Sequence, residues 1–356
     1  MVADIWRPIL PPMQALNARD KRLAGLARAV RAAVIVPSLL SLTLIVIRNP
    51  EIVGFAVFGA FAHLVMVNYH AAGRARSSEA ALLTLLGATL VGLGTLASAN
   101  LWLAVGGAIA IGFLVELPVL TTGRIAVIRK SLLLSFMLGV AVPASVGSVV
   151  PHMAGWLLAG LVAQPVLLLS WIPLQSSLSA AEISGSHEST TPAVQPPAPS
   201  PWIGMAIATG AAMGIAVLFT RLLKLDHAFW VVLGVLPVLA AKGPEATRNF
   251  LRQQTGTLIG FLVGAFFAMI IGTHQTWYWL ALPFIVFVSS YALSTLGLTA
   301  REAVFGVFVI VLFGILLPQQ KRVGGLRVQD IAVGGAISLV VASLRRLGDG
   351  RPRERS

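Results

Sequence analysis

No cysteine occurs in the 356 residues, which excludes a disulfide framework, a thiol nucleophile and a cysteine-held metal. Charge is scarce as well. Asp, Glu, Lys and Arg make up 11% of the chain, against about 25% in an ordinary soluble globule, so there is too little polar surface to cover one. Catalytic signatures are also missing: there is no nucleotide-binding loop, no metal-ligand cluster, and no Ser/His/Asp set with recognisable spacing. An enzyme is therefore not expected, nor is a cofactor. What the chain has instead is 57% hydrophobic residues and a mean hydropathy of +0.87. Several apolar runs of roughly 18–22 residues can each cross a hydrocarbon core as a helix. The chain reads as an all-α integral membrane protein.

The net charge of +13 would suggest nucleic acid in a soluble protein. Here the basic residues flank apolar spans, so topology and contact with anionic lipids explain them, and nucleic acid is not an expected partner. Arg19, Asp20, Lys21, Arg22, Arg28 and Arg31 precede a full-length span with no small-residue cleavage site after it, so no cleavable signal is expected.

Twelve spans are expected, at about 24–47, 52–69, 78–98, 101–120, 128–149 and 154–172, then 202–222, 228–241, 252–272, 276–295, 302–317 and 329–347. Breakers stand in the connections, among them Asn49-Pro50, Pro151-His152 and Lys242-Gly243-Pro244. With a cytoplasmic N-terminus, 20 of the 26 Lys and Arg fall on the inner side, so both termini are expected in the cytoplasm. Residues 173–201 hold no Lys or Arg and are rich in Ser, Thr and Pro, which reads as a linker unable to bury apolar area. The expected organisation is a first six-helix repeat at 1–172 with a basic N-terminal segment, the linker at 173–201, a second six-helix repeat at 202–347, and a basic tail at 348–356.

The halves resemble one another. Thr84, Ala88 and Gly92 place small residues four apart, and Gly256, Gly260 and Gly264 do so 172 residues later. Arg129 and Arg301 share that offset, and a period of this length reads as a duplicated domain. Six spans on each side of the linker give both halves the same orientation, so the repeats are expected to be parallel, a pseudo-dimer with its axis along the membrane normal. The small-residue ridges are expected to permit close helix packing.

Ionisable groups inside spans are costly, at about 2.5–3.5 kcal/mol near a helix centre on insertion scales, so each is a candidate site. Glu116, in Phe113-Leu-Val-Glu116-Leu-Pro118, is expected within the fourth span near its inner end. It reads either as a proton-coupling carboxylate or as the partner of Arg124 or Arg129 at the interface. Its counterparts in the second half are Ser289, Ser290 and Tyr291. His63 lies mid-span and is the second proton-coupling candidate, because an unperturbed imidazole titrates at about 6.5; the alternative is a neutral ring bonded to a neighbouring helix. Arg74, Arg124, Arg129, Arg248, Arg252 and Arg301 form an expected basic inner rim. Their planar forks match carboxylates, although topology and lipid contact explain the same residues. Trp102, Trp156, Trp277 and Trp279 read as interfacial anchors, and Trp230 as a surface for stacking an aromatic substrate.

Residues 227–264, from His227-Ala-Phe-Trp230 through Pro237 and Gly243 to Thr255-Gly256-Thr257-Leu-Ile-Gly260, resemble the fusaric acid resistance-like (FUSC) family of bacterial inner-membrane proteins, which groups with the aromatic acid exporters. The likeness is weaker in the first half, where Phe55 stands near the Trp position. One departure is Gln253, where the family often carries Arg; Arg252 is its neighbour. Plant aluminium-activated malate transporters are distantly similar and pair two six-span bundles. The resemblance implies location in the bacterial inner membrane and a small organic anion as substrate, with His227, Trp230 and the basic residues as candidates to bind it. It leads to the expectation of proton-coupled efflux of small amphipathic or aromatic carboxylic acids. A passive organic-anion channel, or a non-transporting scaffold for envelope assembly, are the alternatives. Membrane lipids are expected partners, and a homo-oligomer is left open.

Overall fold

The structure, a computed structural model, describes residues 18–67, 74–121, 123–141, 143–168, 201–223, 244–272 and 274–316, plus helical positions 231, 235, 333, 336, 337, 340 and 341. Among the described residues every regular element is helical. The α-helices are α1 (Ala18–Ser41), α2 (Pro50–Phe61), α3 (Arg74–Ser98), α4 (Leu101–Leu114), α5 (Gly123–Ala141), α6 (Val149–Leu168), α7 (Pro201–Leu222), α8 (Pro244–Ile271), α9 (Gln275–Thr295) and α10 (Leu298–Leu316). The first two continue as π-helical turns at Leu42–Ile47 and Ala62–Met66. Helix predominates because lipid offers backbone groups no partners, so each segment must satisfy its own.

Seven helical segments in the described residues are long and apolar enough to cross a membrane. They carry α1, α3, α6, α7, α8, α9 and α10, while the α2 and α4 segments are shorter apolar helices. Large apolar side chains lie bare on the outside, including Val150 at 73% and Met269 at 72% exposure. A water-soluble surface does not carry so many, and the chain is a multi-pass membrane protein. The expected spans at 228–241 and 329–347 fall almost wholly outside the described residues, as does nearly all of the linker.

Helix ends follow local chemistry. The Asn49 side chain accepts the Glu51 backbone N–H at 3.0 Å, with Pro50 at the first helical position of α2. The Asn100 side chain accepts the Trp102 and Leu103 backbone N–H groups at the start of α4. Two expected boundaries need correction. The fourth span does not run to 120: Pro118 forces Leu117 into an extended conformation (ψ 137°), and α4 ends at Leu114. Pro151 and His152 are not a turn between spans. They lie in the first turn of α6, where a proline's missing N–H costs no helical bond.

The packing crosses the linker. In one apolar core Val36, Leu39 and Leu40 of α1, most of α2 and Trp156 of α6 meet Leu282 and Val286 of α9 and Phe308 of α10. The other joins Ala104 and Ala108 of α4 and Phe136 and Met137 of α5 to Ala212 and Met213 of α7, with Val231, Val235, Ile337 and Val341. Thus α4 and α5 pack on the later part of the chain, and α9 and α10 on the earlier part. Helix α5 contributes to both cores, through Ile128 and Leu132 to the first and Phe136 to the second. The contacts are reciprocal: α1 packs on α9 as α4 packs on α7, and α3 on α5 as α8 on α10.

Close helix approach depends on glycine. A Cβ at Gly94 would strike the Phe136 carbonyl of α5, and one at Gly139 the Val91 carbonyl of α3. At Gly256 and Gly260 it would strike the Thr299 and Ala303 carbonyls of α10, and at Gly264 the Ile310 side chain. The earlier ridge faces elsewhere, since Thr84 lies against Gly160 and Gly92 against Met153, both on α6. Trp156 also departs from expectation. It is wholly buried, not an interfacial anchor, because the small residue Gly87 opens a slot for its ring and Leu83 supplies a carbonyl to its Nε1 at 3.3 Å. Trp102 and Trp277 are exposed at 72% and 59%, as anchors require.

Gly94→Ala should lower stability by about 1–3 kcal/mol, since the added carbon meets backbone that cannot yield. Gly106→Ala, where nothing lies within 4 Å, should gain about 0.5–1 kcal/mol from helix propensity. Thermal unfolding in detergent checks both; equal effects would contradict the close α3–α5 contact.

Candidate functional site

The early stop of α4 leaves Glu116 in a turn, next to backbone that no longer continues a helix. Arg129 reaches this turn from the second helical turn of α5. Its Nη1 donates to Glu116 Oε2 at 3.1 Å and to the Val115 carbonyl at 3.0 Å. The side chains are about a quarter exposed, 26% for Arg129 and 24% for Glu116. From α7 the Thr209 hydroxyl donates a long bond, 3.5 Å, to Glu116 Oε1. This neighbour is delivered by backbone proximity, because a Cβ at Gly112 would sit 3.0 Å from both Gly210 Cα and the Thr209 carbonyl oxygen. Lys130 lies within electrostatic range of Arg129, Glu116 and Arg301. The two arginines related by the 172-residue offset therefore both act electrostatically on one lysine, and the Arg129 fork is the one bonded to the Glu116 carboxylate. Chemically, such a cluster can hold a second carboxylate.

Of the two readings of Glu116 on sequence grounds, the ion pair with Arg129 is the one formed. Arg248 and Arg252 stand one turn apart on α8, both exposed. Arg124 lies on α5 at a position whose side chain is outside the described set, as is that of Arg74 on α3. His227 and Trp230 lie outside the described residues.

His63 is fully buried in the π-helical turn that ends the α2 segment. Its Nδ1 is 2.7 Å from the Gly59 carbonyl oxygen, and its Nε2 is 3.1 Å from Thr84 Oγ1 on α3. Trp156 of α6 packs on the ring, with centroids 5.5 Å apart. The structure thus separates the two proton-coupling candidates: Glu116 contacts α5 and α7, while His63 is enclosed by α2, α3 and α6. Between the halves runs an aromatic contact, with Phe61 of α2 5.2 Å from Phe305 and 5.7 Å from Phe308 of α10.

A second polar group sits at the opposite end of α2, and sequence reasoning did not mark it as a site. The Ser148 hydroxyl donates to Glu51 Oε1 at 3.2 Å, and His152 Nδ1 lies 3.0 Å from Thr95 Oγ1. Phe55 stacks on the His152 ring at 3.9 Å. Nearby, Arg221 of α7 donates to the carbonyls of Ser98 and Val140 at 2.9 and 3.0 Å. The available signal was the proline at 151: a proline in a first helical turn, rather than after a helix, would have placed His152 on α6 and not in a connection.

Residues 215–341 match the family described as fusaric acid resistance protein-like. No curated protein and no solved structure matches the chain. The matched segment contains α8, α9 and α10, hence Arg248, Arg252, Arg301 and the Gly256–Gly264 ridge, in agreement with the resemblance read from residues 227–264. Glu116, Arg129 and His63 all lie outside it. Arg301, which bears electrostatically on Lys130, comes from the matched segment, whereas Glu116, Arg129 and Lys130 come from the part of the chain before it.

Arg129→Met should destabilise more than Glu116→Gln, since Arg129 also caps the Val115 carbonyl. The double variant should cost less than the two single effects combined, with a coupling of about 0.5–1 kcal/mol for a partly exposed pair. Thermal unfolding of the four proteins measures it, and strict additivity would remove the ion pair from the argument.

Proposed function

We propose that the protein is a secondary exporter of small amphipathic or aromatic carboxylates, with both termini in the cytoplasm and two parallel halves about a pseudo-two-fold axis. The single observation that carries this reading is the Arg129 fork held on Glu116 where α4 and α5 meet Thr209 of α7, beside Lys130, which also lies in the field of Arg301. In this reading Glu116 occupies the Arg129 fork in the resting state, and the substrate's carboxylate displaces it. The reciprocal helix packing supports the pseudo-two-fold arrangement. The Phe61–Phe305–Phe308 contact supports a route for an amphipathic or aromatic body along the same seam.

The sign of coupling discriminates between the two candidates for proton transfer. Protonating Glu116 releases Arg129 and so favours anion binding, which makes proton and anion travel together. Export against an inward proton gradient needs the opposite linkage. Glu116 is then a competitor for the anion site, and His63 is the remaining candidate for proton coupling. The same observation favours a second reading, a passive organic-anion channel, because an interior-negative potential expels anions without proton exchange.

Flux of a carboxylate panel from proteoliposomes, under separately imposed pH and voltage gradients, tests both readings. Glu116→Gln should tighten apparent carboxylate affinity roughly ten-fold, the scale of one charge-assisted hydrogen bond, and Arg129→Gln should weaken it by a similar factor. Flux that follows voltage and ignores the pH gradient would select the channel. No flux with any carboxylate under any gradient would falsify transport of this class.

A further inference from the structure

The bonds around His63 constrain where protons can sit. The Gly59 carbonyl can only accept, so the ring nitrogen 2.7 Å from it, Nδ1, carries a hydrogen. The other nitrogen faces Thr84 Oγ1, which also lies 2.8 Å from the Ala80 carbonyl oxygen in the preceding turn of α3. A hydroxyl has one hydrogen and two acceptor positions. With a neutral ring, the Thr84 hydrogen points at Nε2. With a protonated ring, Nε2–H donates to Thr84 Oγ1, and the hydroxyl hydrogen turns to Ala80. Every polar hydrogen has an acceptor in both states, and the exchange needs only rotation about one C–O bond.

Three features of the surroundings bear on the ring. The Trp156 ring lies within the range of a cation–π contact, about 6 Å. Gly160 leaves the space that Thr84 occupies, since a Cβ there would collide with its Oγ1 and Cγ2. The π-helical turn at Ala62–Met66 carries the histidine, and such turns recur at functional sites. Titratable and charged groups stand on the packed elements. They are Glu51 on α2, Arg76 and Glu79 on α3, His152 on α6, Arg31 on α1, and Arg129 and Lys130 on α5. The hydroxyl, the Gly59 carbonyl and the indole are the groups in contact with the ring.

We infer that His63 is a two-state proton site and that Thr84 is its positioning residue, a hydroxyl rotor that satisfies the imidazole whether it holds one proton or two. This rests on the transport reading in giving the proton a purpose, since it places proton exchange among α2, α3 and α6, apart from the anion cluster. The site itself stands on geometry alone.

The test is a pH titration of the full-length protein in nanodiscs by nitrogen-15 histidine NMR, with the His63 signals assigned by their loss in His63→Gln. The expected result is an Nδ1–H neutral form that gains a second proton on acidification. Thr84→Val, which keeps the shape and removes the acceptor, should weaken that protonation roughly ten-fold or more, a shift of about one pH unit or more to the acid side. Thr84→Ser should restore it, and keeps the test available if the valine variant fails to fold. A His63 that stays neutral throughout the pH range of the folded protein overturns the proposal. So does a titration that Thr84→Val leaves unmoved. Because this measurement needs no substrate, an intact titration with no carboxylate flux would sink the transport reading and leave the proton site standing.

Discussion

Helix α5 is pinned to α3 at backbone distance, and the rest of the bundle depends on that contact. Where Gly94 and Gly139 meet, each helix presents its main chain to the other with no side chain between them. In a membrane no difference in hydrophobicity drives helices together, because lipid tails are as apolar as leucine. Association comes from dispersion contacts and polar bonds, and close approach multiplies the former. Once α5 is held against α3, its remaining surface can serve two cores. Ile128 and Leu132 complete the one built on α1, α2 and α6, and Phe136 and Met137 complete the one built on α7. Helices α8 and α10 repeat the arrangement through Gly256 and Gly260.

This interleaving determines where charge can be tolerated. An arginine or glutamate facing lipid is costly, whereas one at the junction of α4, α5 and α7 finds partners from several helices. Arg129 satisfies a carbonyl left by the early end of α4 and a carboxylate in the same turn. Lys130 and Arg301 enlarge the positive field there. His63 illustrates a different solution, in which a single polar side chain is enclosed by a carbonyl, a hydroxyl and an indole, with no counter-charge. Glu116 and His63 thus sit in chemically distinct settings, one in a charge pair and one among neutral partners.

Legibility varied with the range of the determining interaction. The burial of Trp156 and the placing of Thr84 beside His63 were not readable, because each depends on a glycine of another helix. Gly87 admits the Trp156 ring, Gly160 leaves room for Thr84, and α6 begins earlier than its hydropathy suggests because Pro151 is harmless in a first turn. The ridge of Thr84, Ala88 and Gly92 was legible as a packing surface, but its neighbour was not. It faces α6, whereas the ridge at the same offset in the second half faces α10. Equal spacing along a chain says that a face is smooth, and not what lies against it.

What the sequence by itself determined was the solvent and the secondary structure. Scarce charge and long apolar runs require lipid, and lipid requires helices, since backbone groups have no other partner there. It also supplied the ion-pairing residues, since a glutamate and an arginine near one span end have few alternatives to each other. Only the tertiary structure decided the partnership of the helices: that α1 packs on α9 and α4 on α7, that Thr209 of α7 joins Arg129 on Glu116, and that His63 meets Thr84. Those outcomes turn on backbone-to-backbone distances of a few ångströms between segments far apart in the chain, and hydropathy, which averages along the chain, carries no record of them.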